Sequence, residues 1–290
     1  MPDSLTPVSI DDGHRSTGGL TAVAALDHQV VVQSATPAAR RAVESLFRNM
    51  REPPRGDSLG RLELRRAGAG WIVSSASDGA FCRSLSEARW ELRDRFTCLL
   101  MDARPDLIWL HGAGIAQNGH AVVITGPSGS GKSVLATRMI ADGFAYLGDD
   151  LLPFDPRTRM VYPFPITPAV RCRASEYLLT GEARRLRKQE IVLSAAQLVT
   201  RPWPVAAIVF PRFGLGPSRL QRMSPGHVAF ELLCQCCDFG RHRETAVRAL
   251  SALAVTVPAW TLSYTDSDQG AATIARAFAA SGSSSLRGAE

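Results

Sequence analysis

Polar stretches at both ends of the chain enclose a long region where short apolar runs alternate with helical spacings. Residues 1–18 and 279–290 are rich in small and polar residues and read as mobile tails. From residue 19 to 104 the pattern predicts a small α/β unit. Val30, Val31 and Val32 form a β-branched run, and Ala38 to Phe47 carries helical apolar spacing. Arg61–Arg66 and Trp71–Ser75 flank the turn Ala67-Gly68-Ala69-Gly70 and read as a hairpin. Ser86–Met101 repeats apolar residues at helical intervals, closed by Pro105.

Residues 105–278 differ in character. Leu107–Leu110, Ala121–Thr125, Phe144–Leu147, Val205–Phe210 and Trp260–Tyr264 are runs of buried-strand type. Lys132–Ala141 is a helix candidate, Ser224-Pro225 a helix start, and Asp266 or Ser267 a cap for the last helix. Strands alternating with helices predict a mainly parallel α/β core.

One segment carries specific chemistry. Gly126-Pro127-Ser128-Gly129-Ser130-Gly131-Lys132-Ser133 meets the P-loop (Walker A) pattern at every fixed position, between a strand run and a helix run. A polyphosphate is a dense anion and needs many fixed donors unobstructed by side chains. Gly129 and Gly131 permit positive φ and close backbone approach. Consecutive N–H groups, Val134 included in the first helical turn, then form an anion nest at a helix N-terminus. Lys132 would place a compact charge on the β- and γ-phosphates of ATP, and Ser133 would offer a hydroxyl to Mg2+.

Transfer chemistry also needs a carboxylate, to hold metal or take a proton from the acceptor. Asp149-Asp150 follows the run Phe144–Leu147, and acids at the carboxyl end of a strand face the P-loop's edge. Two adjacent carboxylates can divide the work, and a Gly-Asp-Asp turn is the plainer alternative. His111 follows Leu107–Leu110. If that strand neighbours the P-loop strand, the imidazole sits at the rim of the site, where a carboxylate beside it would favour its protonated form.

Composition narrows the field. The chain has 290 residues and a net charge of +6, with 31 arginines and only Lys132 and Lys188 as lysines. Arginine is spread throughout and no nucleic-acid motif accompanies it, so no nucleic-acid partner is expected. No run of 18 apolar residues exists and the N-terminus lacks a signal-peptide pattern, so no membrane partner is expected and the protein reads as cytoplasmic. The six cysteines lack metal-site spacing, and Cys234, Cys236 and Cys237 read as small buried hydrophobes in a helix. Ala169–Lys188 concentrates Arg171, Arg173, Arg184, Arg185, Arg187 and Lys188, which suit an acidic peptide, a transferring phosphoryl group or a solvated helix face. Arg212 ends a strand run, and Arg241-His242-Arg243 opens a helix.

His111-Gly112, Val122-Val123-Ile124-Thr125-Gly126, Ser128-Gly129, Gly131-Lys132-Ser133 and Asp149-Asp150 together resemble the HPr kinase/phosphorylase family. The likeness covers about residues 108–155 well and the rest loosely. It implies an α/β P-loop core of the HPr kinase and phosphoenolpyruvate carboxykinase type behind a small N-terminal α/β domain. It also implies ATP and Mg2+ as cofactors and a protein or peptide hydroxyl, typically serine, as acceptor. Asp149 resembles the family's catalytic acid/base, Asp150 its metal-side acid beside Ser133, and His111 the histidine next to that pair. Asp149-Asp150-Leu151-Leu152-Pro153, Tyr162-Pro163-Phe164-Pro165 and Val209-Phe210-Pro211-Arg212 look more like a divergent branch that includes lasso-peptide precursor kinases. Val134 stands where the family typically has an acid, and the family's later signature segment is not visible. A nucleotide-binding regulator and a small-molecule kinase remain alternatives. No Asn-Lys-x-Asp motif supports a GTPase. A second copy of the chain stays open as a partner.

Overall fold

The computed structural model describes residues 19–53, 57–76, 78–171 and 188–284. The expected tail at 1–18 and most of the arginine cluster, Arg173, Arg184, Arg185 and Arg187 among them, lie outside those residues.

The N-terminal unit is a five-stranded sheet with two helices. Its elements are β1 (Gly19–Ala25), β2 (His28–Ser34), α1 (Pro37–Leu46), β3 (Arg61–Ala67), β4 (Gly70–Ser74), β5 (Gly79–Cys82) and α2 (Leu85–Ala103). The strands lie in chain order, with β2 and β3 parallel and every other pair antiparallel. Thr36 caps α1 by accepting from the Ala39 N–H, and Pro37 opens it. Ser84 caps α2 by accepting from the Glu87 N–H. Along α2, Ala88, Leu92, Phe96 and Leu100 recur every fourth residue and are fully buried.

This core does not stop at residue 104. It includes Leu107, Trp109, Phe164 and Ile166 from the following region. Phe164 lies 6.1 Å from Phe96 and 5.1 Å from Trp109, centroid to centroid. Thr167 Oγ1 donates to the Ser45 carbonyl and Asn49 Nδ2 to the Pro165 carbonyl. Helices of the first unit are thus sealed onto the second by apolar burial and satisfied polar groups.

The second unit comprises β6 (Ile108–Leu110), β7 (Gly112–Gln117), β8 (His120–Thr125), α3 (Lys132–Ala141), β9 (Ala145–Gly148), β10 (Leu152–Asp155) and β11 (Met160–Val161). It continues through β12 (Ala169–Arg171), β13 (Lys188–Glu190), β14 (Trp203–Phe213), β15 (Arg219–Arg222), α4 (Pro225–Cys234), α5 (Phe239–Thr256), β16 (Ala259–Tyr264) and α6 (Ser267–Ser284). Asp266 caps α6 by accepting from the Gln269 N–H, and the helix runs past the expected tail boundary at 278.

A nine-stranded sheet runs β6-β10-β11-β14-β8-β7-β9, with β16 on β14 and β15 on β16. The expectation of a mainly parallel core fails here: only β14 with β8 and β14 with β16 are parallel. The remaining pairings within this sheet are antiparallel, which makes the core a mixed α/β structure. The main cause is β7, a strand that the glycine-rich string Gly112-Ala113-Gly114-Ile115 conceals. It returns against β8 through the two-residue turn Asn118-Gly119, where both residues have positive φ.

The two ends of this sheet meet, which fixes the site. A single residue, His111, connects β6 at one end to β7 near the other. Three residues, Asp149, Asp150 and Leu151, connect β9 to β10 across the same seam. The Gly112 N–H donates to the Asp150 carbonyl at 3.3 Å. A Cβ on Gly114 would stand 2.8 Å from Leu152 and 3.0 Å from Leu147, so the seam closes only because no side chain is there. Among the described residues, no helix is long and apolar enough to cross a membrane.

Candidate active site

The P-loop forms between β8 and α3. Gly126, Gly129 and Gly131 all have positive φ, at 144°, 84° and 100°. Gly131 is required twice over, because a Cβ there would also meet the Tyr264 hydroxyl at 1.9 Å. Tyr264, at the end of β16, donates from that hydroxyl to the Ser130 carbonyl at 3.2 Å. Burial pushes its phenol up to about 12, so it stays protonated and a donor. It props the loop from behind.

Lys132 is buried at 5% exposure, and Nζ donates to the Gly126 and Pro127 carbonyls at 2.7 and 2.9 Å. Burial lowers its pKa, with Asp149 and Asp150 opposing. The loop's own carbonyls occupy the ammonium where a phosphate oxygen would compete for it. Ser130 Oγ is buried with no hydrogen-bond partner among the described residues. These features fit a polyphosphate: a positive-φ cradle, an inward ammonium and an orphaned hydroxyl.

Ser133 Oγ donates to Asp149 Oδ1 at 3.0 Å, and the same oxygen accepts from the Asp150 N–H at 3.0 Å. Asp149 is 8% exposed. Burial first, and Asp150 second, push its carboxyl up to about 6, against the Ser133 and Asp150 N–H bonds and the Arg93 charge. Asp150 adopts a positive φ of 71°. Its Oδ2 accepts from Arg93 Nη1 at 2.7 Å. A cavity of about 240 Å³ opens between these parts. Its walls are His111, Asp150, Ala169, Ser128, Gly129, Gly131, Lys132, Ser133 and Val134.

His111 does reach this site, by a different route from the one expected. Its strand β6 pairs with β10, and β7, which begins directly after it, is the neighbour of β8. Thr125 Oγ1, at the foot of the P-loop, donates to the His111 carbonyl at 2.7 Å. The imidazole Nδ1 lies 3.1 Å from Gln235 Oε1, so Nδ1 carries the proton in that bond. The expected protonation is reversed. Burial first and Lys132 second lower the pKa, with Gln235 and Asp150 opposing, which favours the neutral ring.

Elsewhere the expectations divide. Arg171 ends β12, and Ala169 on the same strand borders the cavity. Arg212, on β14 at the P-loop's edge of the sheet, is paired with Glu231 at 2.9 Å. Arg241 pairs with Asp102 and His242 with Asp238, so both are engaged away from the cavity. The expected cysteine helix ends at Cys234, which is exposed like Cys237, and Cys236 is half-buried. Three residues that matter carried no signal in the sequence: Arg93, Gln235 and Tyr264. Each reaches the site from an element remote in the chain, and no local spacing marks it.

No protein-family model and no curated protein sequence matches the chain. Among solved structures, the Hpr(Ser) kinase/phosphatase from Coxiella burnetii is similar at 10% identity and a TM-score of 0.34. The match covers 62% of this chain and 99% of that one. At that level the likeness carries no argument, and the function proposed below rests on the geometry of the site itself.

Proposed function

We propose that this chain is a kinase that moves the γ-phosphate of ATP onto a hydroxyl of a protein or peptide, serine being the residue expected. The observation that carries the reading is a P-loop and Asp150 on one cavity, with Asp149 bonded to the P-loop serine directly behind it. Asp149, buried beside the P-loop serine and raised to about 6 by that burial and by Asp150, has the environment of a group that takes a proton near neutral pH.

The roles follow from position. Lys132 and the loop N–H groups hold the polyphosphate. Ser133 and Asp150 both line the cavity and would hold Mg2+ between them. When bound, that ion neutralises charge on the β- and γ-phosphates. Asp149 stands behind Ser133. Asp149 Oδ1 accepts from the Ser133 hydroxyl and would be open to a proton from the acceptor were that hydroxyl engaged by Mg2+. The acceptor oxygen bonds the γ-phosphorus, its proton passes to Asp149, and the bond between that phosphorus and the ADP oxygen breaks. Neutral His111 shapes the rim and keeps a second positive charge away from Lys132.

The hydrogen bond between Ser133 and Asp149 favours one alternative division, with Asp149 on the metal beside Ser133 and cavity-facing Asp150 as the base. Asp149→Asn and Asp150→Asn distinguish the two, because the metal-side variant loses magnesium-dependent binding and the base variant keeps it.

The reading is tested with Mg–ATP labelled at the γ-phosphate and a peptide library bearing serine, threonine and tyrosine. Label on peptide, lost in Asp149→Asn, is the expected result. Nucleotide binding with no label on any peptide, protein or small hydroxyl compound would instead make the chain a nucleotide-switched regulator.

A further inference from the structure

Helix α2 belongs to the N-terminal unit, yet one of its side chains ends at the candidate active site. Arg93 is 17% exposed, and its Nη1 lies 2.7 Å from Asp150 Oδ2. Arg93 does not line the cavity, whereas Asp150 does. The guanidinium therefore stands behind the carboxylate rather than in the space a substrate would fill. Its charge also bears on His111 and Asp149, so it lies within reach of the whole acidic seam.

The placement is built into the helix. The buried stripe Ala88, Leu92, Phe96 and Leu100 fixes the rotation of α2 against its own sheet. Arg89 and Arg93 follow that stripe by one position and share a face, four residues apart. Both cross to the second unit. Arg89 pairs with Glu190 at the end of β13, which also accepts from Ser45 on α1. Arg93 continues one turn further, to Asp150. The carboxylate it meets sits on a backbone with φ of 71°, in a three-residue link that bridges the two ends of a sheet. Arg93, anchored in a packed helix, restrains that carboxylate from behind.

We propose that Arg93 is a positioning residue. It holds Asp150 toward the cavity, which makes the N-terminal unit a structural part of the catalytic apparatus. This rests on the kinase reading, in which Asp150 faces the metal. Groups that orient a ligand from behind are typically worth about 10- to 100-fold in metal affinity. Simple electrostatics predicts the opposite sign: a cation that only competed for Asp150 would, when removed, strengthen magnesium binding.

The test is the ratio of ATP affinity with and without magnesium, read by calorimetry on the full chain. Arg93→Met is expected to leave metal-free ATP binding within about twofold, because Arg93 does not touch the phosphate cradle. The gain conferred by magnesium should fall about 10-fold or more. Arg93→Lys, which keeps the charge and much of the reach, should recover part of that gain and is the readable variant if Arg93→Met does not fold. Asp150→Asn should lose the gain as well, and the double variant should lose no more than Asp150→Asn alone. Arg89→Met, at the same junction but on Glu190, should lower the melting temperature and leave the ratio unchanged. An unchanged or increased gain in Arg93→Met, or losses that multiply in the double variant, would overturn the inference. An equal drop in Arg89→Met would reduce Arg93 to glue between the units. A wild-type chain that binds no ATP under either condition defeats the kinase reading itself, and the inference with it.

Discussion

The P-loop and the acidic seam face each other across one cavity, and they are built in opposite ways. The P-loop is one continuous string, Gly126 to Ser133, and its geometry follows from local rules: glycines for positive φ, a strand before, a helix after. The seam is assembled from distant pieces. His111 and Asp149-Asp150 meet because two short links cross between the two ends of one sheet. Arg93 reaches them from α2 and Gln235 from the turn after α4. The first half is specified by residue types at fixed spacing and the second by topology. The comparison predicts a division of labour, in which the loop holds the polyphosphate and the seam supplies the metal-side acid and the base.

The largest test of that division is Asp149→Asn. Phosphotransfer should fall by about 10²-fold or more, as loss of a general base does. The remaining rate should lose its dependence on the acid limb. In the wild type the base must be deprotonated, so the rate should drop as pH falls through about 6. Single-turnover transfer measured from pH 5 to 8 for both proteins checks this.

The same residue makes the comparison sharper through stability. The free protein holds the Asp149 carboxyl at about 6, above its ordinary 3.8, so between those values the folded chain binds more protons than the unfolded one. Stability from this group is therefore full below about pH 4 and is lost as pH rises toward 6. Asp149→Asn should stabilise the unliganded chain by about 1–3 kcal/mol at pH 8 and add little at pH 4. Urea melts at the two pH values read the difference.

His111 should contribute less. The neutral ring is favoured and bonded to Gln235, so His111→Gln should stay within a few-fold of wild type, and His111→Ala should lose about the value of one neutral hydrogen bond, 0.5–1.5 kcal/mol. A pH–rate step near 6.5 that vanishes in His111→Gln would show the ring to act as a charged group. The smallest effect falls on the loop's support. Tyr264→Phe removes the hydroxyl that holds the Ser130 carbonyl and should weaken ATP binding by about 1 kcal/mol, with the transfer rate of the bound complex unchanged.

How far the sequence carried these conclusions follows the same line. Lys132–Ala141 was legible as a helix to the residue, because strand, glycine loop and apolar spacing all agreed there. The acids were legible as a pair at a strand end. Strand β7 was not, because Gly112 and Gly114 lower strand propensity, and only the closed seam explains why side chains must be absent at Gly114. Missing that one strand made the core look parallel and put His111 beside the P-loop through the wrong neighbour. Its protonation is not legible either, because the burial and the Lys132 charge that lower its pKa come from chain segments remote from residue 111. Arg93 could not be singled out among 31 arginines, since what distinguishes it is the register of α2 against another unit.

The division of labour is tested most directly by titrating Mg–ATP into wild type, Lys132→Ala and Asp149→Asn in a calorimeter, a measurement that needs no acceptor. Wild type and Asp149→Asn should bind within about threefold of each other. Lys132→Ala should lose about 10- to 100-fold, the worth of a charge-assisted bond to phosphate. Lys132→Ala binding as tightly as wild type, or Asp149→Asn losing as much as Lys132→Ala, would contradict the account that the loop holds the polyphosphate and Asp149 serves the transfer.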